Sequence, residues 1–437
     1  MYITVAFLWV SVWRFQDLWP IIGKLQIPIL LEVVLGLTLL ISLRGPRQIK
    51  WTNSRIFAVP FVLLAIMIVG LPFSLWVGKS VTFVIRDFAP SLLLMIGVAV
   101  SLRESEDINW IAFVHLIGAS VYATWIYLFI PVGTDGRLGE LVYYDANDFA
   151  LLIVSTVPFA IYFLRPVVPA WKRLFALFSL VLFVEMIIKS GSRGGFIAFV
   201  VVMGYVVVAF RSIPARLRQS AVIIGFILLT VFGSTTYWNM MRTMLHPQQD
   251  YNMTADAGRK AIWKRGVGYM LSHPVVGVGA AAFEQAEGTL SAISREYATQ
   301  GRGLKWSTAH NSFVLVGAEL GIGGLVLFVT MLGTSFKHLA RIKYGRGEDP
   351  IVSAEDAAFA QTLTASLIGF CVAGCFVSAS YFSLLYVLIG LVVAEDSLRS
   401  RRLVRGSAGP STPAPVRGHA APRDAQRAPQ SRWAPAG

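Results

Sequence analysis

Apolar residues in this chain are gathered into blocks of roughly 15–23, the length a helix needs to cross a hydrocarbon core about 30 Å thick. By this criterion about twelve blocks are present. They run near Met1–Leu18, Ile27–Leu43, Ile56–Val77, Phe88–Leu102, Ile108–Ile130, Phe149–Leu164, Leu174–Ile188, Gly194–Phe210, Ser220–Thr236, Ser312–Leu332, Phe359–Val377 and Tyr381–Ala394. Lipid offers the backbone no hydrogen-bond partners, so each block is predicted to be a helix. The expected fold is an all-α polytopic membrane protein with about twelve transmembrane helices and one large outer loop. Arg14 and Asp17 interrupt the first block. It lacks a basic leading region and a small-residue cleavage site, so it reads as a retained anchor.

Composition agrees with this pattern. Of 437 residues, 55% are hydrophobic and 14% charged, against about 25% charged in soluble domains. The bases also orient the chain. With the N-terminus in the cytoplasm, 23 Lys and Arg fall in the cytoplasmic loops and tail, among them Arg44, Arg47, Lys50, Arg165, Lys172, Arg211, Lys337 and Arg346. The short outer loops hold seven: Arg14, Lys24, Lys79, Arg86, Arg137, Lys189 and Arg193. This positive-inside bias predicts a multi-pass protein with both termini cytoplasmic. The net charge of +14 is therefore mostly a topology signal and gives no support for a nucleic-acid partner.

The expected organisation is nine helices over residues 1–236, an outer loop with short helices over 237–309, three helices over 310–398, and a tail over 399–437. Pro, Ala, Gly and Arg dominate the tail, which is predicted to be disordered and basic. The two cysteines, Cys371 and Cys375, lie one turn apart in an apolar block. They read as small core residues and imply neither a disulfide framework nor a metal site.

Three polar places stand at the outer boundary. Ser190-Gly191-Ser192-Arg193-Gly194-Gly195 joins two blocks almost without a loop. It holds Arg193 where an unpaired charge is costly, either as a ligand group or as a snorkelling side chain. Gly258-Arg259-Lys260-Ala261-Ile262-Trp263-Lys264-Arg265 opens a helix expected to run through about Leu271. Arg259 and Trp263 share a face of it, whereas Arg265 points about 120° from Arg259. Such clustered bases suit a diphosphate or a helix lying on headgroups. His310-Asn311-Ser312 marks re-entry into the membrane, on a rigid helix start. An imidazole there is able to accept a proton from a hydroxyl, although a lone His at a helix end is more often structural. Glu319, nine residues on, is an intramembrane carboxylate expected to pair with an arginine or a backbone group. Asp145-Ala146-Asn147-Asp148 reads as a helix cap, and Glu185 and Lys189 as an i,i+4 pair. No HExxH, Walker loop or zinc spacing occurs.

In this order the motifs resemble the O-antigen ligase superfamily. The carrying residues are Tyr144-Asp145-Ala146-Asn147-Asp148, Ser190–Gly195, Gly258-Arg259 with Trp263, Pro274, Gly277-Val278-Gly279, and His310-Asn311-Ser312-Phe313 leading to Glu319-Leu320-Gly321-Ile322-Gly323. The resemblance covers about Tyr144–Leu332. It implies a GT-C-type membrane glycosyltransferase without a metal or other cofactor, working at the periplasmic face of a bacterial inner membrane. Its donor would be a glycan on undecaprenyl diphosphate. Arg193 and Arg259 would bind the diphosphate, with Arg265 as a further loop arginine. His310 would activate the acceptor hydroxyl, and Asn311, Glu319, Trp263, Asp145 and Asn147 would support the site.

The favoured acceptor is lipid A–core oligosaccharide. A polysaccharide polymerase or a protein O-oligosaccharyltransferase of the same superfamily is the alternative. A lipid-linked glycan flippase is the alternative from another class, although such folds usually show two similar halves and none is visible here.

Overall fold

The computed structural model describes residues 1–43, 55–211, 213–246, 248, 250–303, 306–344 and 353–407. Arg44, Arg47, Lys50, Arg346 and the expected tail beyond residue 407 lie outside them. The expected tail boundary at 399 falls inside the last helix, Ser383–Ser407.

Each of the twelve apolar blocks is occupied by helix, and no strand forms among the described residues. Among the described residues six helices are long and apolar enough to cross a membrane: Ile56–Phe73, Val77–Ser101, Ser105–Phe129, Ala146–Phe163, Ser312–Ile342 and Ala354–Gly374. A seventh follows if Arg218–Phe232 and Thr235–Leu245, bent by 110°, form one broken span. The first block falls furthest short. Its helix Tyr2–Ser11 has 10 residues, which at about 1.5 Å per residue rises only half the core thickness. Arg14 ends this stretch in a left-handed conformation, with φ 51°, and its guanidinium reaches Asp17 at 3.2 Å. Outward faces are apolar: Leu30, Val33, Leu37 and Ile41 on one helix and Ile223, Phe226, Ile227 and Val231 on another are exposed. So broad an apolar surface marks a membrane-facing exterior, and the chain is a polytopic α-helical membrane protein.

Helix Ala146–Phe163 is the hub. It is apolar all round, as a helix enclosed on every side must be, and 94% of it is buried. Ala170–Ser190, Arg193–Ala209, Ala354–Gly374 and Ser105–Phe129 pack around it. Its start is fixed by a reciprocal cap in which Asp145 accepts from the backbone of Asn147 and Asp148, while Asp148 accepts from the backbone of Asp145. Glu185 and Lys189 pair at 3.5 Å, as their spacing predicts.

The segment between the long helices carries Thr235–Arg242, Tyr251–Thr254, Arg259–Ser272, Phe283–Thr289 and Ala292–Thr299. A backbone seam attaches it to the bundle. Helix Ser312–Tyr344 is broken at Gly321, with φ 73° and ψ −173°. The freed groups pair with the loop: Ala318 O accepts from Val278 N at 2.8 Å, Glu319 O from Gly279 N at 3.1 Å, and Ile322 N donates to Pro274 O at 2.9 Å. The loop continues the seam outward, since Leu75 N donates to Val278 O at 3.0 Å. Two main chains approach this closely only without Cβ atoms between them. A Cβ on Gly277 (φ +66°) would overlap the Glu319 carbonyl, and one on Gly321 would overlap that of Pro274.

Gly277→Ala and Gly321→Ala are each expected to cost roughly 3 kcal/mol or more, from left-handed strain together with backbone overlap. Gly268→Ala has open space within helix Arg259–Ser272 and should be neutral, or stabilising by up to about 1 kcal/mol. Thermal unfolding of the purified variants, followed by size-exclusion fluorescence, compares the three.

Candidate active site

Three helix N-termini meet at one cavity of about 350 Å³ lined by Arg137, Asn147, Arg193, Thr243, Asp250 and Arg259, among others. Arg193 is the first residue of Arg193–Ala209, after the N-cap Ser192. Arg259 is the first of Arg259–Ser272, after Gly258, which offers no side-chain cap. Asn147 is the second of Ala146–Phe163, and its Oδ1 accepts from Arg137 Nη2 at 3.1 Å. A helix N-terminus carries partial positive charge and unpaired N–H groups. An arginine at that position is the wrong sign for the helix and the right sign for an anion.

The cavity is electrostatically loaded. Burial first, and then the nearby guanidinium groups of Arg193 and Arg137, pull the Arg259 pKa below its ordinary value. Arginine stays charged nonetheless, so the repulsion persists until an anion relieves it. Part of that role is taken by Asp250. Arg193 Nη1 reaches Asp250 Oδ2 at 2.6 Å and Nη2 reaches Oδ1 at 3.3 Å, while Nη1 also donates to Thr243 Oγ1 at 2.8 Å. Burial raises the Asp250 carboxyl, but the hydrogen bonds from Arg193 and Asn252 outweigh it and hold the pKa below the ordinary value.

His310 does not line this cavity. It is linked to it through the Arg259 helix: Trp263, one turn from Arg259, donates its indole N–H to Ala309 O at 3.0 Å. The expectation of a helix-borne histidine needs correction. The helix begins at Ser312, Asn311 caps it through bonds from the Phe313 and Val314 amides, and His310 precedes the cap with φ 47°. A non-glycine residue holds that conformation only where neighbours enforce it. Here the turn after Ala354–Gly374 does so. Asn311 Nδ2 donates to Cys375 O at 3.0 Å, Ser312 Oγ to Val377 O at 2.8 Å, Ser380 Oγ to Ser312 O at 2.6 Å, and Thr308 Oγ1 to Ser378 Oγ at 2.9 Å. The strained turn is thus gripped on both sides of His310.

Arg265 stands apart from the other two arginines, as its 120° offset predicts. Its guanidinium meets the buried Glu287 through Nη2–Oε2 at 2.6 Å and Nε–Oε1 at 2.9 Å, and donates to Asp256 O at 2.8 Å. Glu287 Oε1 also accepts from the Tyr269 hydroxyl at 2.8 Å. The bonds to Glu287 hold the Arg265 pKa above its ordinary value despite burial. This side chain ties the loop helices together and leaves the phosphate expectation to Arg193 and Arg259. Glu319 took the second of its two expected partners, a backbone group: Oε1 accepts from Phe283 N at 3.2 Å.

Arg137 and Asp250 were not singled out from the sequence. Both lie outside regular helix, in segments whose residues carry no period, and each is ordinary in composition. A structure is needed to see that Arg137 and Arg193 share a wall.

Residues 149–329 match the family model described as O-Antigen ligase. The match bears out the superfamily resemblance over fewer than half of the 437 residues. The O-antigen ligase segment includes Arg193, Arg259, Trp263, His310 and Glu319. It begins after Arg137, Asp145 and Asn147, which join the same cavity or its rim from outside the matched region. No curated protein matches the chain.

Removing one partner of a buried ion pair leaves a stranded charge, so Glu287→Ala is expected to cost about 3–5 kcal/mol in thermal or denaturant unfolding. The Arg193–Asp250 pair has an acid signature. With its pKa depressed, Asp250 contributes stability fully above the unfolded carboxylate value of about 4, and that contribution is lost as pH falls through the folded value. The difference in melting temperature between wild type and Asp250→Asn should therefore shrink on acidification from about pH 5 to about pH 3.

Proposed function

We propose that this chain transfers a glycan from undecaprenyl diphosphate to a hydroxyl of lipid A–core, at the periplasmic face of a bacterial inner membrane, with a GT-C-type bundle as scaffold. The observation that carries the reading is the convergence of Arg137, Arg193 and Arg259 with three helix N-termini on one cavity. A diphosphate fits this chemistry because guanidinium grips phosphate oxygens in pairs and helix N-termini add oriented N–H donors. The O-antigen ligase match over Arg193, Arg259 and His310 supports a lipid-linked glycan as the group carried.

In the proposed reaction, Arg193 and Arg259 hold the diphosphate, and the Arg193–Asp250 bond opens to admit it. The acceptor oxygen attacks the anomeric carbon as its proton passes to the His310 imidazole. The bond from that carbon to the phosphate oxygen breaks with its electron pair, and undecaprenyl diphosphate leaves with inversion at the sugar. Negative charge grows on the leaving group, so the arginines stabilise the transition state more than bound donor. Preorganised groups of this kind are worth roughly 3–4 kcal/mol each, and general-base help about 10²–10⁴-fold.

His310→Ala is expected to lower transfer by about 10²–10⁴-fold while leaving undecaprenyl diphosphate binding intact. Arg193→Ala and Arg259→Ala should weaken binding and lower transfer together, by about 10²–10³-fold in turnover. In vitro transfer from a defined lipid-linked donor to purified lipid A–core measures both. Full activity of purified His310→Ala would remove its assigned role. In cells, loss of the gene should leave lipid A–core without any O-antigen and accumulate lipid-linked polymer; core bearing a single repeat unit would indicate a polymerase instead.

A further inference from the structure

Helix Arg259–Ser272 has a third face, used neither by the arginine cavity nor by the Glu287 brace. At about 100° per residue, Lys260, Lys264, Val267 and Leu271 fall within an arc of roughly 60°, and all four are exposed. Arg259 and Arg265 stand to either side of this arc, while Ile262, Gly266 and Tyr269 on the opposite side are buried. The face is graded along its length. Its first two turns carry the lysines, and neither is paired with a carboxylate among the described residues. Its last turns carry Val267 and Leu271, and Val275 follows just beyond Pro274. Leu271 is 64% and Val275 78% exposed.

What covers this face follows from its continuation. Gly266 faces Val314, Met270 faces Gly317, and Pro274 meets Gly321, so the loop helix descends alongside the start of the long helix. Across the seam, Ile322 N donates to Pro274 O, which brings Val275 beside Ile322. Ile322, Val326 and Val329 are exposed and share one face by their spacing, on a helix long and apolar enough to cross a membrane. The outward apolar strip of a spanning helix therefore continues past the break at Gly321, through Val275, Leu271 and Val267, and ends at Lys264 and Lys260. Phe73, Trp76 and Val77 are exposed around Leu75, whose N–H donates to Val278 O, and tryptophan between two spans marks the interfacial level. A face that is apolar at its deep end and basic at its outer end suits a helix in the membrane interface, with apolar side chains among acyl chains and ammonium groups at the phosphates.

We propose that the exposed face of helix Arg259–Ser272 is a phospholipid-binding surface: Lys260 and Lys264 bind the headgroup phosphates of anionic glycerophospholipid, and Val267, Leu271 and Val275 lie among the upper acyl carbons. The surface is separate from the arginine cavity and does not depend on the transfer reaction proposed above. It puts Arg259, the neighbour of Lys260, at the depth of lipid phosphates.

The test uses the purified full chain with p-benzoylphenylalanine in place of Leu271 or of Val275, in nanodiscs of equimolar phosphatidylglycerol and phosphatidylcholine. After irradiation, intact-protein mass spectrometry counts the lipid adducts. Phospholipid adducts are expected from both positions and none from Thr299, an exposed residue at the end of Ala292–Thr299. Phosphatidylglycerol should predominate among them, and Lys260→Gln and Lys264→Gln should each reduce its excess by up to about fivefold. Glutamine is a good helix former, so these exposed replacements leave the helix intact. Val275 lies beyond the helix, and its arm remains informative if replacement of Leu271 disturbs the fold. Absence of adducts from both positions, as many from Thr299 as from Leu271, equal yields of the two lipids, or an excess of phosphatidylglycerol unchanged in the Lys260→Gln/Lys264→Gln double variant would each overturn the proposal.

Discussion

Like charges do not gather without a reason, and the arrangement of this molecule turns on three guanidinium groups held within one cavity. Each would gain by moving outward to water or headgroups, as a long basic side chain at a membrane boundary usually does. Instead Arg193 and Arg259 begin their helices, where the macrodipole opposes them, and Arg137 is held by Asn147. The loss in each case is modest, but all three have one sign and one remedy. An anion with several oxygens removes the mutual repulsion and offers acceptors to the N-terminus of the Arg259 helix, which has no side-chain cap. Asp250 is a partial remedy, a single carboxylate on one arginine.

Such a cavity works only if its walls do not relax, and the backbone seam provides that. The break at Gly321 would expose unpaired carbonyl and amide groups within an apolar bundle, a costly defect. The loop at 274–279 fills it, so the defect in the helix becomes the attachment point of the segment that carries Arg259. The same long helix begins at the His310 turn. One element therefore fixes both the histidine and, through the seam, the arginine helix, and Trp263 to Ala309 closes the triangle. Arg265 and Glu287 contribute a buried brace within the loop itself. Their energy goes into keeping the loop helices in register.

Much of this was legible in the sequence wherever a period exists. Apolar blocks gave helices because lipid permits little else, and the 100° step per residue separated Arg259 and Trp263 from Arg265 before any coordinates did. Block length was a weaker guide than block existence: twelve apolar blocks yielded six helices long and apolar enough to cross a membrane, since Arg14 shortens the first and a bend at 233–234 divides another. The helix begins at Ser312, as its apolar block does, but the left-handed turn at His310 was not legible, because the contacts from 375–380 that hold it lie far along the chain. Arg137 and Asp250 were invisible as site residues, because their partners are 56 and 57 positions away along the chain and no local rule spans that distance.

A second cavity, of about 730 Å³, shares no lining residue with the arginine cavity and differs from it in character. The arginine cavity gathers Arg137, Arg193 and Arg259; the larger one sets Glu32, Asp87, Glu284 and Glu319 against Arg14, Lys79 and Arg86, with aromatic faces among them. An anion is favoured in the first and opposed by four carboxylates in the second, so the two cavities differ in the charge they admit. The left-handed turn at His310 joins the larger cavity through Thr308 and the arginine helix through Trp263, so one strained segment ties together two environments of unlike charge.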